Sequence, residues 1–480
     1  MSPSQKVAAK NASQLRGGQN VRPTSAAEIT ARVDRLPSCL TFWRLIVLLS
    51  LGAAFEMYDL FQTAYLSPGL LSSGVFRAGE KGLFGLSDQA SFAAATFAGL
   101  FVGTIVFGSV ADRFGRRTIF TYSLLWYTAA SIAMGLQHTN IGVDLWRFIS
   151  GLGIGVELVT IDAYISELAP KRLRGRAFAV NQSVQFLAIP FVAMVSWILV
   201  PRSPFGVAGW RWVVFLGSLG AIAIWFIRRG IPESPRWLAQ KGRLEEADAA
   251  ISKIEARVEA EIGHPLSAPV VGPSEEGGMG KFSEIWVAPY GRRTLMLVVF
   301  NFFQTIGFYG FGNWVPALMA SKGANVTNSL QYSAIIAVIY PIGPLLCALI
   351  ADRFERKWQV VAAAIGTACF GLLFAQQSAT LWLIVCGMFI TLSNNLLSYS
   401  LHAYQAELFP TRIRARAIGF VYSWSRLSTI FTSFMIAFFL QNFGTKGVFA
   451  FIATSMLMVV LSIGIFGPRT KGLALEEISH

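Results

Sequence analysis

The sequence predicts an all-α membrane protein of twelve transmembrane helices arranged as two pseudo-symmetric six-helix bundles. Hydropathy is the first reason. Of 480 residues, 54% are hydrophobic and 14% charged, and the apolar runs are too long for core helices of a soluble domain. A bilayer span needs roughly 20 mostly apolar residues, because backbone polar groups find no water in hydrocarbon and a helix satisfies them internally. The second reason is a duplication. Residues 111–117 (ADRFGRR) return 240 positions later as 351–357 (ADRFERK), with five of seven identical. At the same offset 163–177 (AYISELAPKRLRGRA) falls on 403–417 (AYQAELFPTRIRARA), with nine of fifteen identical. Composition alone would give about one such match, so the halves share one plan.

Taken in order, residues 1–41 are polar and basic and lack the apolar region and small-residue cleavage site of a secretory signal, which reads as a mobile cytoplasmic tail. Six spans follow at 42–66, 91–110, 118–136, 143–164, 177–200 and 210–227, closing a first bundle over 42–228. Residues 229–293 read as a cytoplasmic linker. Leu244 to Ile262 is rich in Ala, Glu and Ile at helical spacing, and 264–280 is Pro/Gly/Ser-rich slack chain. The second bundle, 294–466, carries spans at 294–319, 329–350, 358–376, 380–402, 418–441 and 448–466, before a cytoplasmic tail over 467–480.

Loop charge sets the orientation. The loops 111–117, 167–176, 351–357 and 407–416 hold thirteen Lys and Arg, against six in the alternate set. By the positive-inside rule the first set and both termini are cytoplasmic, with the expected location a plasma membrane, the inner one if the chain is bacterial. This also accounts for the net charge of +14 without a nucleic-acid partner. HExxH, GxSxG and P-loop patterns are absent, and Cys39, Cys347, Cys369 and Cys386 have no pairing or metal spacing. Neither an enzyme, a metal nor a cofactor is expected. Gly151, Gly153 and Gly155 lie inside an apolar run, where close helix packing is their natural job.

Charges within spans cost at least ~2.5–3.5 kcal/mol at a bilayer centre and persist only in a cavity or a pair. Glu56, Asp59, Arg147, Glu157, Asp162 and Arg426 form that set. At 1.5 Å rise per residue, Asp59 lies ~25 Å up the first span and Arg147 ~6 Å below the outer face on the fourth, so the two share a depth and can pair. A carboxylate beside Arg147 that releases it on protonation would bias the packing of the halves. The alternative is a static buried pair. Glu56, one turn away, either shares the proton, touches substrate or is structural. Arg426 sits ~13 Å from the cytoplasmic end of the eleventh span, near the midplane, where Phe186 is its counterpart in the first half. Its planar fork suits a carboxylate, though it could instead partner Glu157.

The run Gly108-Ser109-Val110-Ala111-Asp112-Arg113-Phe114-Gly115-Arg116-Arg117 resembles the signature loop between helices 2 and 3 of the major facilitator superfamily. Its partial copy, with Ala348 and Glu355 at the two Gly positions, sits where that family repeats it. Arg147 with Gly151, Gly153 and Gly155, then Glu167-Leu168-Ala169-Pro170 with Arg174-Gly175-Arg176, then Pro232-Glu233-Ser234-Pro235-Arg236-Trp237-Leu238 resemble the sugar-porter and organic-ion branches. Phe308 to Pro316 and Gly419 with Arg426 are similar to bacterial niacin-transporter-like proteins and organic anion/cation transporters. The resemblance implies the major facilitator fold and alternating access. It also implies a coupling role for Asp59, in a Phe55-Glu56-Met57-Tyr58-Asp59 pattern, with Arg147, and an anion-selecting role for Arg426. Gln182, after Asn181, resembles the sugar-contacting Gln of sugar porters.

Gln185, Gln304, Tyr309, Asn313, Asn394 and Asn395 complete the candidate pocket, each with interhelical hydrogen bonding as its alternative. A cytoplasmic gate is expected from Asp112, Arg113, Arg116 and Arg117, from Glu167, Arg176 and Glu233, and from the second-half set Asp352, Arg353, Arg356, Glu407 and Arg416. The expectation is a monomeric proton-coupled symporter of a small organic anion, such as nicotinate. A sugar or polyol symporter and an exporter are the alternatives; substrate, proton and lipid bilayer are the partners.

Overall fold

The structure, a computed structural model, describes residues 25–77, 80–82, 87–107, 114–228, 231–271, 281–350 and 354–469. A short helix, α1 (Ala26–Asp34), precedes the first span, α2 (Leu40–Ser72). The first half continues with α3 (Asp88–Phe107), α4 (Arg116–Gly135), α5 (Asn140–Leu168), α6 (Arg174–Phe186) running into α7 (Ala188–Leu199), and α8 (Gly209–Arg228). Two helices, α9 (Pro235–Gln240) and α10 (Leu244–Ile262), link it to the second half. That half is α11 (Tyr290–Gly312) with α12 (Val315–Ser321), α13 (Val326–Ala337) with α14 (Ile339–Ile350), α15 (Arg356–Gln376), α16 (Thr380–Glu407) and α17 (Thr411–Phe466).

Twelve membrane-length passes result. Eight apolar stretches among the described residues are long enough to cross a bilayer, and one of them, Arg416–Phe466, holds two passes. Gly444 adopts φ 62° and ψ −162° there, a backbone state open to glycine, and divides α17. Helices α4, α5 and α8 supply the remaining three passes. Three spans read as continuous are broken, each by one cause. Proline has no N–H for the carbonyl four residues back. Pro190, Pro316 and Pro341 accordingly leave helices ending at Phe186, Gly312 and Ala337.

The glycines of α5 do pack backbone against backbone. A Cβ on Gly151 would stand 2.5 Å from the Thr96 carbonyl and 3.0 Å from Gly99 Cα, while one on Gly155 would overlap the Leu100 carbonyl. Gly99 and Gly103 of α3 would reciprocally strike the Phe148 and Leu152 carbonyls. Such approach suits a bilayer, where dispersion and close contact join helices in place of the hydrophobic effect. We expect Gly103→Val to cost about 1–3 kcal/mol by overpacking, seen as a lowered melting temperature. Gly419→Ala, with nothing within 4 Å of its added carbon, is expected to leave it unchanged.

The stretch read as a mobile tail requires a correction, because 26–34 is a helix docked on the linker. Ser25 Oγ caps it by accepting from Glu28 N at 3.1 Å, and Ile29 and Val33, one turn apart, bury against α9 and α10. Glu255 of α10 accepts from Arg32 and Arg35, each at 2.6 Å, and Arg32 also reaches Asp248. Arg236 of α9 donates to Asp34 at 2.7 Å and to the Ser166 and Ala169 carbonyls at 3.1 and 3.3 Å, closing the end of α5. Burial pulls the Arg236 guanidinium below its usual range, with Asp34 opposing. Hydrogen bonds to charged groups contribute about 1.5–3 kcal/mol each. Glu255→Gln is therefore expected to speed trypsin cleavage after Arg35 by roughly tenfold, measured on the folded protein.

Candidate functional site

The halves meet along α3 against α17, and along α6 and α7 against α13 and α14. Rings bridge them: Phe61 meets Tyr340 at 5.4 Å, Phe97 meets Tyr309 at 5.0 Å, and Phe186 meets Tyr340 at 5.8 Å between centroids. Two charged centres adjoin this aromatic seam.

The first lies within the first half. Arg147 Nη1 donates to Asp59 Oδ2 at 2.8 Å, with the arginine 0% and the aspartate 5% exposed. Ser150 Oγ donates to the same oxygen at 3.0 Å, Ser131 Oγ to Oδ1 at 2.7 Å, and Gln62 Nε2 also to Oδ1. Four donors therefore fill the roughly four acceptor positions of one carboxylate. Arg147 Nε reaches Thr96 Oγ1 at 2.9 Å, and Nη2 reaches Thr63 Oγ1 at 2.6 Å and the Asp59 carbonyl. The serines and threonines were not singled out from sequence. Their signal was present, since each is a polar residue inside an apolar span.

The second centre joins the halves. Arg426, 7% exposed, lies over the Tyr422 ring at 5.0 Å, with Tyr422 Oη 3.4 Å from Nη2, and is within electrostatic reach of Tyr309. Glu56, 0% exposed, is within electrostatic reach of both Arg426 and Tyr309. Glu157 instead takes a 3.4 Å contact from Ser123 within the first half. The Asp162 side chain is outside the described residues.

The amides divide into two groups. Asn394 donates to the Gly307 carbonyl and accepts from Thr367 Oγ1, both at 3.1 Å. Asn395 Nδ2 sits 3.4 Å from the Tyr340 carbonyl, the acceptor that Pro344 cannot serve. Both amides thus take the interhelical role that is the alternative to substrate contact, while Asn395 Oδ1 is buried with no hydrogen bond among the described residues. Gln304 Nε2 is taken up by Thr305 at 2.9 Å. Gln182 and Gln185 are half-buried with no side-chain hydrogen bond among the described residues. Asn313, 4% exposed at the α11–α12 break, has both amide atoms unsatisfied there.

Of the expected gate, Asp112, Arg113, Asp352 and Arg353 and the side chains of Arg116 and Arg117 lie outside the described residues. Arg356 pairs with Glu407 at 2.8 Å inside the second half. Glu233 accepts from Ser234 N at 3.1 Å and packs on Gly115, and Glu167 is within electrostatic reach of Arg236. Arg176 and Arg416 are exposed.

Twelve helices in two like bundles, with buried opposite charges where the bundles meet, define a class: a multi-pass membrane transporter of the major facilitator superfamily, not an enzyme. More narrowly, the chain belongs to the family described as Sugar (and other) transporter, whose model matches residues 46–480. It is 32% identical to YyaJ of Bacillus subtilis (strain 168) over 94% of this chain and 98% of that one. It is 27% identical to the niacin transporter NiaP of Acinetobacter baylyi, over 94% and 99%. Among solved structures, the partially occluded inward-open xylose transporter XylE from E. coli aligns with a TM-score of 0.71 at 20% identity, covering 91% of this chain and all of that one.

Proposed function

We propose that the protein is a proton-coupled symporter of a small organic anion, an aromatic or heteroaromatic carboxylate such as nicotinate, working as a monomer in the inner membrane. One observation carries this reading: Arg426 is buried at the junction of the halves, over the Tyr422 ring and bonded to its hydroxyl, with Tyr309 within electrostatic reach. A guanidinium flanked by aromatic rings suits a planar carboxylate, through bidentate donation and stacking. The similarity to a niacin transporter is in keeping with it. Asp59 is the coupling residue in this account. Protonation takes an acceptor from its four donors and loosens Arg147, which shifts the balance between outward and inward packing. Glu56 opposes Arg426 when substrate is absent. The tail-bearing face is cytoplasmic on loop charge, and the repeated Asp-Arg loops with Glu167, Arg176, Glu233, Arg356, Glu407 and Arg416 form its gate.

A sugar or polyol is the second reading, favoured by the unsatisfied amide of Asn313 together with Gln182 and Gln185. A thermal-shift panel of carboxylates and sugars on wild type and Arg426→Ala separates the two. Aromatic carboxylates should stabilise wild type alone; a sugar shift indifferent to the substitution would select the second reading.

A further inference from the structure

A shallow cleft opens beside the linker helices, away from the charged centres. Val33 of α1, Leu36 just beyond it, Phe42, Leu45 and Leu48 of α2, and Ile251 and Ile254 of α10 make an apolar trough, and two charges, Arg44 and Arg257, line it. Both arginines are exposed, with no carboxylate engaged among the described residues, and no acidic residue lines the cleft. The nearby Glu261 is committed elsewhere, accepting from the Leu40 and Thr41 amides at 2.6 and 2.7 Å.

The level of the cleft matters. Helix α2 has 33 residues, hence a length of about 50 Å, against a hydrocarbon core of roughly 30 Å. Its first turns therefore stand in the headgroup layer, where Trp43 and Arg44 are typical occupants. An apolar trough rimmed by unengaged guanidinium groups at that level matches one ligand: a phosphodiester headgroup carrying an acyl chain. We propose that the cleft is a binding site for an anionic phospholipid, its chain along Leu45, Leu48 and Ile254 and its phosphate between Arg44 and Arg257. Since the site spans α1, α2 and α10, an occupying lipid clamps the docked N-terminal helix to the first span. The inference is independent of the transported substrate.

Thermal unfolding of the full chain in detergent tests it, with dioleoylphosphatidylglycerol and dioleoylphosphatidylcholine added at equal concentration. Phosphatidylglycerol should raise the wild-type midpoint by about 3 °C more than phosphatidylcholine. The difference should vanish in Arg44→Gln/Arg257→Gln and in Leu45→Trp, which fills the trough, yet persist in Lys253→Gln/Lys281→Gln, exposed positions outside the cleft. Equal shifts with both lipids, a phosphatidylglycerol shift surviving in the arginine pair or in Leu45→Trp, or the same shift with water-soluble glycerol phosphate would each overturn it.

Discussion

Arg426→Ala is expected to lower apparent affinity for the transported anion by roughly 30- to 1,000-fold. Removing one partner of a buried, hydrogen-bonded charge pair costs about 2–4 kcal/mol, much of it the penalty of leaving the other charge without a counter-ion. Here that stranded group would be the substrate carboxylate, facing Glu56 inside a seam of rings. Arg426→Lys should recover part of the loss, because an ammonium keeps the charge but not the fork. Tyr422→Phe removes a hydroxyl 3.4 Å from the guanidinium and leaves the ring, so its effect should stay below tenfold. Initial uptake rates against substrate concentration in proteoliposomes check the order Ala, Lys, Phe; equal rates in Arg426→Ala and wild type would remove Arg426 from the substrate site.

The second large effect concerns the Asp59–Arg147 centre, where the two partners should fail differently. Arg147→Ala leaves Asp59 buried with its ionic partner gone, which costs about 3–5 kcal/mol and should lower the melting temperature by many degrees. Asp59→Asn keeps the volume and one of the two serine hydrogen bonds, at its remaining oxygen. It should fold, exchange substrate across the membrane at near wild-type rates, and fail to accumulate substrate against its gradient. Counterflow and gradient-driven uptake, measured on the same proteoliposomes, distinguish these outcomes. Accumulation by Asp59→Asn would move the coupling proton to another group, with Glu56 the next to test.

What sequence could reveal follows from what each feature depends on. The duplicated loops and apolar runs are properties of chain order, so the two-bundle plan was legible directly. The depth match of Asp59 with Arg147 needed only the rise of a helix, and these residues are paired at 2.8 Å. Rotation about a helix axis is another matter, since it is set by packing. Asn394 and Asn395 were open to a pocket or an interhelical role from sequence, and their amide nitrogens reach the carbonyls of Gly307, Ile339 and Tyr340. The docked N-terminal helix was missed for a nearer reason: Ser25 and Glu28 are spaced as a capping box, and Ile29 with Val33 as an apolar stripe. Its charged face masks that stripe, and Arg32, Arg35 and Glu255 meet across more than 200 positions of chain.

The claim on which the account turns is that a proton gradient drives an anion into a site held by Arg426. The direct measurement is accumulation of radiolabelled nicotinate in proteoliposomes under an imposed pH gradient, with labelled xylose in parallel. The account predicts nicotinate accumulation that collapses with a protonophore and is lost in Arg426→Ala. Xylose accumulating while nicotinate does not, or nicotinate uptake indifferent to the gradient, would contradict it.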